Sequence, residues 1–183
     1  LLPLGNLKQL EVLSLWHSQL QSLQGMEGLT QMKRLVLYAS RLTDISPLTD
    51  LRQMRHLDLT QNQIVDISPL AGMTKLETLQ LNQNKIISLK ALAGVRDLRG
   101  LSLQHNQITD LKPLIGLTKL KELHLNNNQI TDLKPLIRMK ELRTLHLGGN
   151  QLTDLTPLMG LVALRELSIV GSANLRFPDV AKL

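Results

Sequence analysis

An apolar residue returns every 22 positions along this chain, and that interval never slips. The opening position is held by Leu10, Met32, Met54, Leu76, Leu98, Leu120, Leu142 and Leu164. The fourth holds Leu13, Leu35, Leu57, Leu79, Leu101, Leu123, Leu145 and Leu167, and the seventeenth runs from Met26 through Leu136 and Leu158 to Val180. The ninth holds Ser18, Ser40, Asn62, Asn84, Asn106, Asn128, Asn150 and Ser172. Leu120 to Met139 shows the unit most cleanly, as L-x-x-L-x-L-x-x-N-x-I-x-D-L-x-P-L-x-x-M. Residues 10–163 contain seven whole repeats, 1–9 are the tail of a preceding one, and 164–183 are an eighth, partial one. The 183 residues therefore read as a single repeat domain.

Elementary geometry turns the repeat into a shape. L-x-L has period two, so its leucines point to one side and their neighbours to the other. A strand this short is not stable alone and needs an identical strand beside it. Identical units running in one direction stack as a parallel sheet. The Asp-Leu-Lys-Pro-Leu segment returns the chain to its start: Asp or Ser caps a turn, and Pro is tolerated in the first turn of a helix. About a dozen return residues are too few for long helices, so short 3-10 or α turns are expected on the outside. The ninth-position asparagines, with a donor and an acceptor each, are expected to form a ladder inside the coil. Serine at both ends of that column suggests a looser inner turn there.

Composition sets bounds. Apolar residues make up 43% and aromatics 2%, which suits a core of Leu, Ile and Met. There is no cysteine, which excludes disulfides and thiolate chemistry. No signal peptide, lipidation motif or apolar run of membrane-spanning length is present. The chain opens on the fourteenth repeat position with neither Met nor a polar cap, as a segment of a longer protein would. Asn174 and Phe177 suggest a more polar, aromatic-plugged closing turn. The net charge is +6, and its placement is ordered. The second column reads Glu11, Lys33, Arg55, Glu77, Arg99, Lys121, Arg143 and Arg165, a mostly basic edge. The thirteenth reads Ser22, Asp44, Asp66, Ser88, Asp110, Asp132 and Asp154, an acidic row of turn caps. A dipolar surface of this kind would steer an acidic partner.

A fixed period in the twenties with this pattern is the leucine-rich-repeat signature. In detail the units resemble the 22-residue repeats of bacterial internalins, and Asp-Ile-Ser-Pro-Leu at 44–48 and 66–70 is the most specific element. The resemblance implies an α/β fold: a right-handed leucine-rich-repeat solenoid, or horseshoe. Its parallel sheet lies on the concave face, with short 3-10 or α turns on the convex face. It also implies a bacterial secreted or surface protein that binds a protein ligand on the concave side, although the absence of cysteine suits the cytosol equally. Similar repeats in a cytosolic phosphatase regulatory subunit give an alternative, a scaffold that binds an enzyme. A third is the recognition arm of a larger enzyme.

The concave face follows from the columns. The third reads Val12, Arg34, His56, Thr78, Gly100, Glu122, Thr144 and Glu166; the fifth reads Ser14, Val36, Asp58, Gln80, Ser102, His124, His146 and Ser168. The seventh begins with Trp16 and Tyr38, the one Trp and one Tyr of the chain. Trp, Tyr and Arg are enriched at binding hot spots, so Trp16, Tyr38, Arg34, Val36 and His17 are candidate partner contacts. His56 and Asp58 extend this group. His124 and His146 stand side by side with Glu122 and Glu166 flanking, and are read as partner-contacting histidines rather than zinc ligands. No nucleophile stands beside a base and an orienting group, and there is no phosphate-binding loop, so no enzyme activity and no cofactor are expected. Nucleic acid fits poorly, because Asp58, Glu122 and Glu166 lie on the face. A monomer that binds a protein ligand, an acidic one by the basic edge, without membrane insertion, is the expectation.

Overall fold

Each L-x-L segment forms a strand, in step with its neighbours. A computed structural model describes residues 2–18, 20–172 and 175. The expected closing turn at Asn174 and Phe177, and Val180 of the seventeenth column, lie outside the described residues. The strands are β1 (Val12–Trp16), β2 (Arg34–Tyr38), β3 (His56–Asp58), β4 (Thr78–Gln80), β5 (Gly100–Ser102), β6 (Glu122–His124), β7 (Thr144–His146) and β8 (Glu166–Ser168). They make one eight-stranded parallel sheet in sequence order. Every residue pairs with the one 22 positions on, as in Leu57↔Leu79 and His124↔His146. The ladder begins one residue before the strands, where Arg55 N–H donates to Lys33 O at 2.8 Å and the same bond recurs from Arg165 to Arg143.

The return path is built from 3-10 turns, including Ser46–Leu48, Ser68–Gly72, Lys112–Leu114 and Thr156–Leu158. Most carry Pro in the first turn, where its missing N–H has no helical partner to lose. The expectation of short 3-10 or α turns resolves wholly to 3-10 among the described residues. The first repeat places Gly25 (φ 96°) where five others place Pro, and its described residues contain no such turn after β1. The aspartate acts one residue earlier than a helix cap: Asp44 Oδ1 accepts from Ser46 N at 2.8 Å, and Asp66, Asp110, Asp132 and Asp154 do likewise two residues on. This is an Asx turn, which pre-bends the backbone before the 3-10 segment starts.

Seven apolar positions per repeat close the core. In the fifth repeat these are Leu98, Leu101, Leu103, Ile108, Leu111, Leu114 and Leu117, all 0–1% exposed. The end strands have a neighbour on one side only, so Leu13, Leu15, Leu167 and Ile169 are partly buried. The asparagine ladder forms as expected. Asn106 Nδ2 donates to Leu81 O and Leu103 O, both at 3.0 Å, and its Oδ1 accepts from Ile86 N at 3.0 Å. Asn62 Oδ1 serves two amides, Ser40 N and Leu42 N, while Ser18 and Ser40 share a hydroxyl bond at 3.0 Å.

One feature is absent from any pattern of apolar residues. The eighth position is left-handed in every repeat: His17, Ala39, Gln61, Gln83, His105 and Asn127 have φ of 50–58°, and Gly149 and Gly171 have 69° and 78°. The chain must turn sharply inward there to deliver the next residue's amide to the interior. Among the described residues no helix is long and apolar enough to cross a membrane.

Candidate functional site

The alternating columns put the third, fifth and seventh residues of each repeat on the concave side, as two separate clusters of interest. The first lies on β1 to β4. Trp16 is 69% exposed at the end of β1. Its ring stands 6.2 Å from that of Tyr38, tilted by 50°. His17 also meets Tyr38, edge-on at 5.3 Å. Tyr38 therefore contacts two rings, and His17 does so from a left-handed backbone. Arg34 and Val12 are exposed alongside.

Val36 departs from the expected exposed contact. Its column faces the concave side, but it is only 7% exposed. Its partners on the adjacent strands, Ser14 and Asp58, are small, but on its own strand it stands between the larger Arg34 and Tyr38. It lines a small open depression of about 80 Å³ together with Arg34, His56, Asp58, Thr78 and Gln80. Thr78 and Gln80 escaped the sequence reading because small polar residues in a repeat carry no signal of their own. Around this depression, His56 Nδ1 bonds Thr78 Oγ1 at 2.8 Å, and Asp58 Oδ1 accepts from Thr60 N at 2.9 Å. The depression thus has a cation on one side, a carboxylate on the other, and an apolar patch within.

The second cluster lies on β6 to β8, three strand intervals from β3, or about 14 Å. His124 and His146 stack edge-on with centroids 4.5 Å apart and Nδ1 atoms at 2.9 Å. His146 Nε2 donates to Glu166 Oε1 at 2.9 Å. A carboxylate only accepts, so Glu166 fixes the proton on His146 Nε2. In neutral His146 the lone pair at Nδ1 then accepts from His124 Nδ1–H. Burial, then the neighbouring His146, push the His124 pKa below its ordinary value, opposed by Glu122 and Glu166. The two Nδ1 atoms are spent on each other. Among the described residues no group of three or more His, Asp or Glu is arranged to hold a metal ion.

The candidate residues therefore divide. Trp16, His17, Arg34, Val36, Tyr38, His56 and Asp58 come together at one end of the sheet. His124 and His146 form a separate pair nearer the other.

Comparison with known proteins follows the same architecture. A family model described as "Leucine rich repeat" matches residues 30–86, 52–108 and 118–173, and a two-copy leucine-rich-repeat model matches 96–138. No curated protein matches the chain in sequence. Among solved structures, internalin C2 of Listeria monocytogenes is 31% identical, with a TM-score of 0.74 over 90% of this chain and 82% of that one. Internalin InlF of the same organism is 27% identical, with a TM-score of 0.73 over 95% of this chain and 62% of that one. A plant peptide hormone receptor solved in complex with RGF2 is 19% identical, with a TM-score of 0.79 over 93% of this chain and 32% of that one, a likeness of fold alone.

Proposed function

This chain belongs to the leucine-rich-repeat family, of the internalin type, and from that premise we propose that it is a recognition module that binds a protein ligand in its concavity. The observation that carries the proposal is the aromatic pair, exposed Trp16 with half-buried Tyr38, with exposed Val12 beside it on a face mostly lined by polar residues. Covering the exposed part of a Trp ring contributes on the order of 3 kcal/mol. Tyr38 packs against the ring at 6.2 Å, which limits the conformational freedom lost on binding. The depression next to the pair, with Val36 inside and Arg34 and Asp58 around it, receives a polar or branched side chain of the ligand. The partner is a protein rather than a nucleic acid, because acids are interspersed along the face and stacking platforms are confined to one end. The module acts as a monomer and has no catalysis of its own.

The test is a pull-down with the wild-type chain, identification of the captured protein, and measurement of its affinity by interferometry. Trp16→Ala with Tyr38→Ala is expected to weaken binding by roughly 30-fold or more, the size of a hot-spot loss. Thr144→Ala, on the same face but five strands beyond Tyr38, serves as the control. A loss of less than about threefold in the aromatic variant would remove the pair as the centre of the interface.

A further inference from the structure

The second column of the repeat changes character halfway along the molecule. At the first four strands its members pair off: Lys33 Nζ meets Glu11 Oε1 at 2.7 Å, and Arg55 Nη1 meets Glu77 Oε1. At β5 to β8 the same column is Arg99, Lys121, Arg143 and Arg165. Their backbones are hydrogen-bonded neighbours, each N–H donating to the carbonyl of the residue before it in the column at 2.8 Å. Four cations thus stand one strand spacing apart, about 5 Å, over about 14 Å. Among the described residues none of their side chains has a hydrogen-bonded or salt-bridged partner. The acid that Arg99 acts on, Asp97, is held by Lys119 at 2.6 Å.

Like charges side by side on a sheet are destabilising. The chain balances this column where it is free to, at β1 to β4, and leaves it unbalanced over four consecutive strands. An arrangement that works against the fold and is confined to one segment fits an external counter-charge. We infer that this row is a docking strip for an acidic, extended segment of a protein partner. The inference rests on the reading of the chain as a protein-binding module and names the chemistry of a second contact.

The surroundings select among anions. Glu122 and Glu166 lie on one side of the row, in the third column, and Glu141 lies just upstream on the other. A phosphate or sulfate polymer carries charge at every unit and meets those carboxylates wherever it lies. A peptide sets Asp or Glu against the cations and neutral residues against the acids. Val162, 87% exposed and three residues before Arg165, offers such a peptide an apolar contact.

The experiment uses a fluorescein-labelled peptide of alternating Glu and Ala, read by fluorescence anisotropy. The variant R99Q/K121Q/R143Q/R165Q is compared with K90Q/K112Q/K134Q/R138Q, which removes the same charge from the side of the 3-10 turns. The row variant is expected to bind roughly tenfold more weakly, the sum of four exposed ion pairs, and the turn-side variant to bind as wild type does. Wild-type affinity should fall between about 20 mM and about 300 mM salt, as the screening length contracts. Thermal melts should show the row variant to be at least as stable as wild type, since repulsion is relieved; a lower Tm would make the row structural and overturn the inference. Equal losses in both charge variants, or no binding by wild type at low salt, would also overturn it. So would tighter binding of a size-matched heparin fragment or oligonucleotide. Trp16→Ala with Tyr38→Ala should leave peptide binding unchanged, so a failure of the aromatic site and a failure of the row are read separately.

Discussion

Replacing Asn106 by Ala removes three buried bonds and a longer, part-buried one to Gln104 O at 3.3 Å, and the structure shows how differently the buried three weigh. Leu103 O accepts from Asn106 Nδ2 at 3.0 Å and from Asn128 Nδ2 at 2.9 Å. Leu81 O accepts from Asn106 at 3.0 Å and from Asn84 at 3.1 Å. Both carbonyls therefore keep a donor in the variant, and each lost bond contributes about 0.5–1 kcal/mol. The amide of Ile86 has Asn106 Oδ1 as its acceptor, at 3.0 Å. Left buried without it, that N–H costs about 1–3 kcal/mol. The sum is about 3 kcal/mol, a large part of the 5–15 kcal/mol typical of a domain. With a urea slope near 2 kcal/mol/M, the midpoint should fall by roughly 1.5 M. The sharper expectation concerns pairs. Asn106→Ala with Asn128→Ala strips Leu103 O of both donors, so the double variant should lose about 1 kcal/mol more than the sum of the singles. Asn84→Ala with Asn128→Ala shares no carbonyl, since Asn84 serves Leu59 and Leu81 while Asn128 serves Leu103 and Leu125, and should be additive within about 0.5 kcal/mol. Urea titrations followed by circular dichroism and by Trp16 fluorescence measure the wild type and all five variants. A single loss below about 1 kcal/mol, or equal coupling in the two pairs, would refute the shared-acceptor account.

Two further outcomes follow from the concave side. The folded-state pKa of His124 lies below its ordinary value of 6.5, so the unfolded chain binds the proton more readily. Its contribution to stability is intact above 6.5 and lost as pH falls through the depressed value; urea midpoints at pH 7.5 and 5 should differ less in His124→Gln than in wild type, and an unchanged difference would count against it. At Gly148, a Cβ would stand 2.5 Å from the backbone carbonyl oxygen of Val170, which cannot swing away as a side chain would. Gly148→Ala should therefore cost about 1–3 kcal/mol by the same urea assay, and a neutral result would show that β8 moves freely against β7.

Strand register, core columns and the asparagine ladder were legible in the sequence because each is written at least five times, and a column repeated at a fixed interval has one geometric meaning. The left-handed eighth position was not. A residue there is chosen by backbone shape, and Ala39, Gln61, Gln83 and His105 show no glycine signal; the stacked asparagine bonds hold them in a conformation that costs L-residues about 1–2 kcal/mol when free. The burial of Val36 was equally hidden, because alternation gives the side on which a residue points and not the height of its neighbours. Of the concave clusters, the pairing of Trp16 with Tyr38 and of His124 with His146 followed from the period alone. The role of His17 as the second ring against Tyr38 needed the turn geometry. The opposition of paired and unpaired charges along the second column became visible only when the side chains were placed.

The unbroken register has a consequence for how this molecule is altered. Distance along it is counted in notches of one strand, about 4.8 Å each. The aromatic pair ends on β2 and the cationic row begins on β5, three notches away. Duplicating residues 76–97 would add a fourth notch and leave every contact within either patch as it is. In an ordinary globular fold a 22-residue insertion at such a place would destroy both. Here the interval between two contact points is an adjustable dimension, set by copy number and separable from the chemistry at either end.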